Sequence, residues 1–145
     1  MSDVRIRQMA ADDSAAVADL CDQLGYPVDP EGIARRFARI TRQGHGVVLV
    51  AEAGGRVVGW IHVSVMPLLE MDLGAEIEGL VVDRDHRSAG VGAALLQAGE
   101  AWARAAGCGA MRVRSRIARG RAHAFYERSG YTRVKTQHAF EKRWG

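Results

Sequence analysis

The sequence predicts a mixed α/β fold, with a mostly antiparallel central sheet, flanking helices and one parallel strand pair. Three observations predict it. In the middle of the chain a β-rich run is followed by a glycine loop, a helix-period segment and a second β-rich run. That order needs a crossover, which joins parallel strands and is right-handed. Ahead of it, two β-rich runs meet at a pair of glycines, the mark of an antiparallel hairpin. The length and the few helices disfavour a full doubly wound sheet.

The elements follow in order. "VRIRQM" (4–9) alternates apolar and polar residues and reads as a strand. "ADDSAAVADLCDQLGY" reads as a helix with Asp12 or Asp13 as N-cap, Val17, Leu20 and Leu24 on one stripe, and Gly25 as the stop. "DPEGIARRFARITRQG" is a second helix, with Pro30 in its first turn and Ile33, Phe37 and Ile40 on its apolar face. "GVVLVAEAGGRVVGWIHVSVM" gives the hairpin around "AGGR", and "AEIEGLVVD" (75–83) the next strand. A helix from about Gly90 to Ala106 repeats Val91, Leu95, Ala98 and Trp102 at helical spacing, with Gly107 placed for its C-terminal cap. "AMRVRSR" (110–116) alternates again as a strand, "GRAHAFYERSG" is a short helix closed by Gly130, and "YTRVKTQHAFEKRW" reads as one or two final strands.

Composition narrows the function classes. A chain of 145 residues suits one domain, here 1–145, large enough to bury a core without staples. Its net charge of +3 is too small to argue for nucleic acid. The excess is carried by arginine, since Lys135 and Lys142 are its only lysines. Cys21 and Cys108 lie far apart with no CxxC, which fits a reduced, cytoplasmic protein rather than a disulfide scaffold. No apolar run reaches membrane-spanning length, and the N-terminus lacks the apolar core of a signal peptide. The five histidines show no HxxxH spacing, so no metal is expected.

The glycine loop is the most informative stretch. A helix N-terminus presents unpaired N–H groups and a partial positive charge, and glycine lets a phosphate approach the backbone. Ala93 and Ala94 after Gly92 rule out a P-loop. Leu95 stands where a dinucleotide fingerprint needs its third glycine. Arg87-Ser88-Ala89-Gly90-Val91-Gly92 instead matches Arg/Gln-x-x-Gly-x-Gly/Ala in full. The stretch "GLVVDRDHRSAGVGAALL" resembles the acetyl-CoA pyrophosphate loop of the GNAT superfamily of N-acetyltransferases. "AHAFYERSGY" (122–131) resembles that family's second signature, and the element order agrees with the GNAT fold over nearly the whole chain.

The resemblance implies further expectations. The sheet should splay between the strand of Val81 and the strand of Val113, with pantetheine filling the gap as a surrogate strand. Backbone groups of Leu80, Val81 and Val82 should line the pantetheine. The segment from Ser88 through Ala93 (Ser88, Ala89, Gly90, Val91, Gly92, Ala93), with Arg87, should hold the pyrophosphate. The oxyanion donor should be the N–H of Val82 or Val81, and Tyr126 should sit beside the CoA sulfur and protonate the leaving thiolate. The family often has Asn seven residues before that tyrosine. Here the position is Arg119, which puts one polar cofactor contact in doubt.

Acetyl transfer also needs a neutral amine, hence a base. Glu76 and Glu78 share one strand face at i and i+2. Glu76 stands where histone-type members carry their catalytic glutamate, and Glu78 lies one step nearer the thioester. Arg112, Arg114 and Arg116 share a face of the neighbouring strand, where charges need partners. Either a glutamate is the base, or the glutamates hold the arginines and shape the pocket. His123 is a further candidate base on the short helix, although a lone histidine is more often structural or at the surface. Trp60 and His62 share a face that lines either the acceptor cleft or the core. In "MPLLEMDLGAE", Leu68, Leu69, Met71 and Leu73 form an acceptor wall or a homodimer contact, with the dimer preferred.

The leading reading is an acetyl-CoA-dependent N-acetyltransferase. It moves acetyl to a primary amine, small-molecule or peptide, by direct attack in a ternary complex. The alternative is an acyl-CoA-binding regulatory module without turnover, against which Tyr126 speaks. A nucleic-acid-binding module lacks interleaved aromatics.

Overall fold

The computed structural model describes residues 3–87, 89–115 and 119–145. It forms two compact units, residues 1–114 and 115–145. The first holds β1 (Val4–Gln8), α1 (Ser14–Leu24), α2 (Pro30–Gln43), β2 (Gly46–Ala53), β3 (Arg56–Met66), β4 (Gly74–Val82), α3 (Val91–Ala105) and β5 (Met111–Val113). The second holds α4 (Gly120–Arg128).

The sheet runs in the order β1-β2-β3-β4-β5. The first four strands pair antiparallel, and β5 pairs parallel to β4. The mixed sheet and its single parallel pair are therefore as the sequence predicts. The β2–β3 hairpin closes on Gly54 and Gly55, both with positive φ, as a two-residue turn of matching twist requires. Two buried sets flank the sheet. Met9, Val17, Ala18, Cys21, Ile33, Val48 and Val50 form one, with Phe37, Ile40 and Trp60 packed against it. On α3, Val91, Leu95 and Leu96 are buried, and a Cβ on Gly99 would meet Val63 and Ile61 of β3. Gly99 thus lets α3 lie close on the sheet.

The helix ends follow local chemistry. Asp29 caps α2 by accepting from the Gly32 N–H at 2.7 Å, and Pro30 opens the helix. Gly25, Gly44 and Gly107 leave α1, α2 and α3 in the left-handed region. Asp13 stands at the N-cap of α1, but its side chain does not cap it. Its carboxylate instead takes both arms of Arg7, at 2.8 and 3.0 Å, and the Ala10 N–H at 2.8 Å. Arg7 also reaches Glu52 at 2.8 Å. This network ties β1, β2 and the turn before α1 together.

One expectation fails. Residues 131–145 form no strand; Val134, Phe140 and Trp144 are exposed, Phe140 at 95%. Alternation specifies a strand only where a neighbour completes the ladder, and no pairing forms here among the described residues. The strand read over 110–116 is also shorter, Met111–Val113, and Arg116 lies outside the described residues. No helix among the described residues is long and apolar enough to cross a membrane.

The Arg7 hydrogen bonds, above all, hold the buried Asp13 carboxyl below its ordinary titration range. A lowered carboxyl stabilises the fold above the unfolded value, about pH 3.9, and loses that contribution as pH falls through the folded value. Asp13→Asn should therefore cost about 1–3 kcal/mol at pH 7. Urea unfolding at pH 7 and pH 3 should show the gap to the parent protein shrinking at the lower pH.

Candidate functional site

The site grows out of strand β4 and its two unequal edges. Toward β3, β4 is paired from Gly74 to Val82. Toward β5, pairing among the described residues covers only Ala75, Ile77 and, between them, Glu76, opposite Met111 to Val113. Among the described residues, the backbone edge from Glu78 to Val82 has no strand beside it. This is the gap the family resemblance implies.

Alternation of the backbone decides which groups line that edge. Successive strand residues aim their N–H groups at opposite edges. The Asp83 N–H donates to Val58 of β3 at 2.8 Å. The Val82 N–H therefore points to the open edge, and the Val81 N–H points back toward β3. Of these two N–H groups, that of Val82 is the one on the open edge. Its carbonyl on the same edge accepts from Arg87 Nε at 3.3 Å, a use of Arg87 that the motif alone did not reveal.

The strand leads through a short 3-10 turn, Arg84–His86, into the glycine loop. Three bonds anchor this exit. Gln23 of α1 donates to Asp83 at 3.1 Å and accepts from the Arg84 N–H at 2.9 Å. His86 Nδ1 lies 3.2 Å from the other Asp83 oxygen. Gly90 is the N-cap residue of α3, at φ +81°. That conformation suits glycine, and a Cβ there would meet nothing within 4 Å. The first turn of α3, including Val91, Gly92 and Ala93, thus presents its amides behind an open glycine. Ala89 precedes it within a turn, and Ser88 lies outside the described residues.

A β-bulge separates the two glutamates. Val63 faces Ile77 and His62 faces Gly79, so Glu78 is the extra residue on β4. Glu76 is buried and accepts from Arg114 Nη2 at 2.6 Å and Nε at 2.9 Å. The pairing expected between the glutamates and the arginines is present, and it engages Glu76. Glu78 is exposed as a residue. Even so, partial desolvation of its carboxyl and the neighbouring Glu76 carboxylate push it up, against Ser64 and Arg114. Ser64, opposite Glu76 on β3, was not singled out in the sequence.

Trp60 packs against the core cluster, which decides for core packing. Its ring lies on Gly79, the residue opposite His62, and among the described residues its Nε1–H finds no acceptor. Burial pushes His62 down toward the neutral form.

In the second unit, Tyr126 makes edge-to-face contacts with Phe125 and Tyr131, at centroid distances of 5.2 and 5.7 Å. Burial raises its phenol, and Arg119 partly offsets this. Among the described residues no group of three His, Cys, Asp or Glu side chains is placed to hold a metal. The cleft of about 550 Å³ between α1 and the β2–β3 turn is lined by Asp12, Asp13, Asp19 and Asp85 among others, a poor match for a pyrophosphate.

Known proteins share this fold. The model of the acetyltransferase (GNAT) family matches residues 14–131. An aminoglycoside N(6')-acetyltransferase type 1 of Stenotrophomonas maltophilia is 32% identical over 131 residues, which are 87% of this chain and 84% of that one. A solved aminoglycoside N-acetyltransferase in complex with CoA superposes with a TM-score of 0.87 at 21% identity, over 99% of this chain and 97% of that one. A solved transcriptional regulator from Bacillus halodurans also gives 0.87, at 23% identity over 97% and 100%. At such identities the two structures share the fold.

The contact at Gly79 is testable. A Cβ there would lie 2.7 and 2.9 Å from atoms of the Trp60 ring. Gly79→Ala should force the indole off the strand and cost about 1–3 kcal/mol, as overpacking does. Urea denaturation, with tryptophan fluorescence as the probe, would measure both the loss and the ring's move.

Proposed function

We propose, for a chain that belongs to the GNAT family and is an acetyl-CoA-dependent N-acetyltransferase, that it acetylates a primary amine of a small polycationic acceptor of the aminoglycoside kind. The transfer is a direct attack within a ternary complex. The observation that carries the reaction is the unpaired edge of β4 beyond Ile77, running into the open Gly90 at the head of α3. The acceptor class rests on the 32% identical aminoglycoside acetyltransferase. The family match spans the boundary between the two compact units, which supports reading 1–145 as one catalytic domain.

Each group then has a task. The amides of the first turn of α3, with Arg87 and the loop Ser88–Ala89, hold the pyrophosphate. The backbone of Leu80 and Val82 bonds the pantetheine, and the Val82 N–H meets the carbonyl oxygen as charge develops there. Glu78 takes a proton from the ammonium, its raised carboxyl being nearer the working pH than an ordinary glutamate. Glu76, engaged by Arg114, fixes the floor of the site. The neutral amine attacks the thioester carbon, the C–S bond breaks, and sulfur leaves as thiolate. Tyr126 gives that thiolate its proton and regains one from the new amide nitrogen. The raised phenol keeps its proton until then. The protein acts in the cytoplasm. The exposed Leu68, Leu69 and Met71 form a contact between two copies.

Thiol release from acetyl-CoA across a panel of aminoglycosides, polyamines and peptide amines tests the acceptor. Turnover should appear with aminoglycosides, and turnover confined to peptide amines would overturn the assignment. Gly90→Asp should weaken CoA binding more than tenfold, about 1.4 kcal/mol. Gly90→Asn, with the same left-handed backbone and no charge, should weaken it less; calorimetry would separate strain from repulsion. Tyr126→Phe should leave CoA affinity nearly unchanged and lower kcat roughly 10²-fold. A kcat within about threefold of the parent would make Tyr126 a packing residue.

A further inference from the structure

We infer that Gln23 of α1 is a positioning residue for the CoA pyrophosphate loop, because its amide clamps Asp83 and Arg84, the two residues from which that loop springs. The inference rests on the reading of residues 87–93 as the pyrophosphate site. Gln23 and Asp83 lie 60 positions apart, and the packing of α1 beside the end of β4 brings them together.

The loop needs such a clamp. From Arg84 to Gly90 its described residues are exposed, apart from the half-buried His86. Apolar burial therefore does little to fix its course, and polar bonds must do so. The 3-10 piece Arg84–His86 is a single turn, whose first N–H groups find no partner inside it. Gly90, left-handed and without a side chain, adds freedom where α3 begins.

Four bonds converge on Asp83. Its N–H donates to Val58 of β3 at 2.8 Å, and its carbonyl accepts the His86 N–H at 2.8 Å. Its buried carboxylate accepts from Gln23 Nε2 at 3.1 Å on one oxygen, and the other lies 3.2 Å from His86 Nδ1. Gln23 Oε1 in turn accepts the Arg84 N–H at 2.9 Å. A carboxylate only accepts and a backbone N–H only donates. A side chain that serves both must carry one donor and one acceptor, as a primary amide does. These two partners also fix which way the amide faces. Val82, one residue before the clamp, carries the N–H on the open edge of β4. Gln23 thus holds the joint between that edge and the glycine loop.

With the clamp released, the loop samples other courses, and the fraction in the held course sets the apparent CoA affinity. Once CoA is bound the chemistry is the same, so the effect falls on the KM for acetyl-CoA and spares kcat.

The test is a calorimetric titration of CoA into two variants. Gln23→Met keeps the side-chain length and loses both bonds. Gln23→Glu keeps the acceptor for Arg84 but sets a second carboxylate against Asp83. Gly90→Asp serves as the control for the pyrophosphate reading, and hydrogen exchange of the amides of residues 84–93 is followed alongside. Each Gln23 variant should bind CoA roughly five- to tenfold more weakly, the glutamate at least as weakly as the methionine. The amides of 84–93 should exchange faster while those of β1 to β3 keep the parent rates. In thiol-release kinetics the KM for acetyl-CoA should rise by the same factor, with kcat within about twofold. If either folded Gln23 variant binds CoA within about twofold of the parent while Gly90→Asp weakens binding, the inference is overturned and the pyrophosphate reading stands. If Gly90→Asp leaves CoA affinity unchanged, that reading fails and takes the inference with it. Faster exchange throughout β1 to β3, or loss of folding in both variants, would make Gln23 a general stabilising contact and overturn the positioning role.

Discussion

Among the described residues, strand β4 is bonded to β3 along its whole length and to β5 along only three residues. The rest of the site depends on that asymmetry. A buried backbone donor or acceptor without a partner is costly, so an edge left open within a sheet calls for something to bond it. The open edge here carries the Val82 N–H and leads directly to the amides at the head of α3. In the proposed function, the pantetheine amides of CoA complete the first and the CoA pyrophosphate the second. The crossover through α3 sets the parallel pair, and the short pairing with β5 sets how much edge remains.

The β-bulge at Glu78 does a different job. Two carboxylates at i and i+2 on a regular strand would share one face and compete for the same arginine. The extra residue breaks this equivalence. Glu76 stays in register opposite Ser64 and Arg112 and takes Arg114. Glu78 is left exposed, with a raised carboxyl. Separate environments give two like groups separate chemistry, one holding a cation and one free to exchange protons. The arginine side chain is 75% exposed and the Glu76 side chain 10%. The carboxylate is therefore the partner that needs the pair, because it is the one withdrawn from water.

Away from the site, stability rests on ordinary means. Arg7 joins Asp13 and Glu52 across two strands and a turn, and Gln23 joins α1 to the end of β4. The second bond lets the first helix and the cofactor-side loop share an anchor. Pulling α1 away would disturb Asp83 and, through it, the approach to Gly90.

Much of this was legible in the residues alone, because it follows from local rules. Period-2 and period-3.6 patterns, the two glycines of the hairpin and Asp29-Pro30 at a helix start act over a few residues. They placed β1 to β4 and α1 to α3 close to where they stand. The glycine loop was legible for the same reason, since a glycine at the head of a helix marks a left-handed backbone such as φ +81° at Gly90. The final strands were misread because alternation supplies a face but no partner. The tertiary structure alone decided three matters: the end of the β4–β5 pairing, the bulge and the assignment of Arg114 to Glu76. Each is a relation between residues distant in the chain. A strand's register is set by what packs on both its faces, and one extra residue changes every neighbour beyond it.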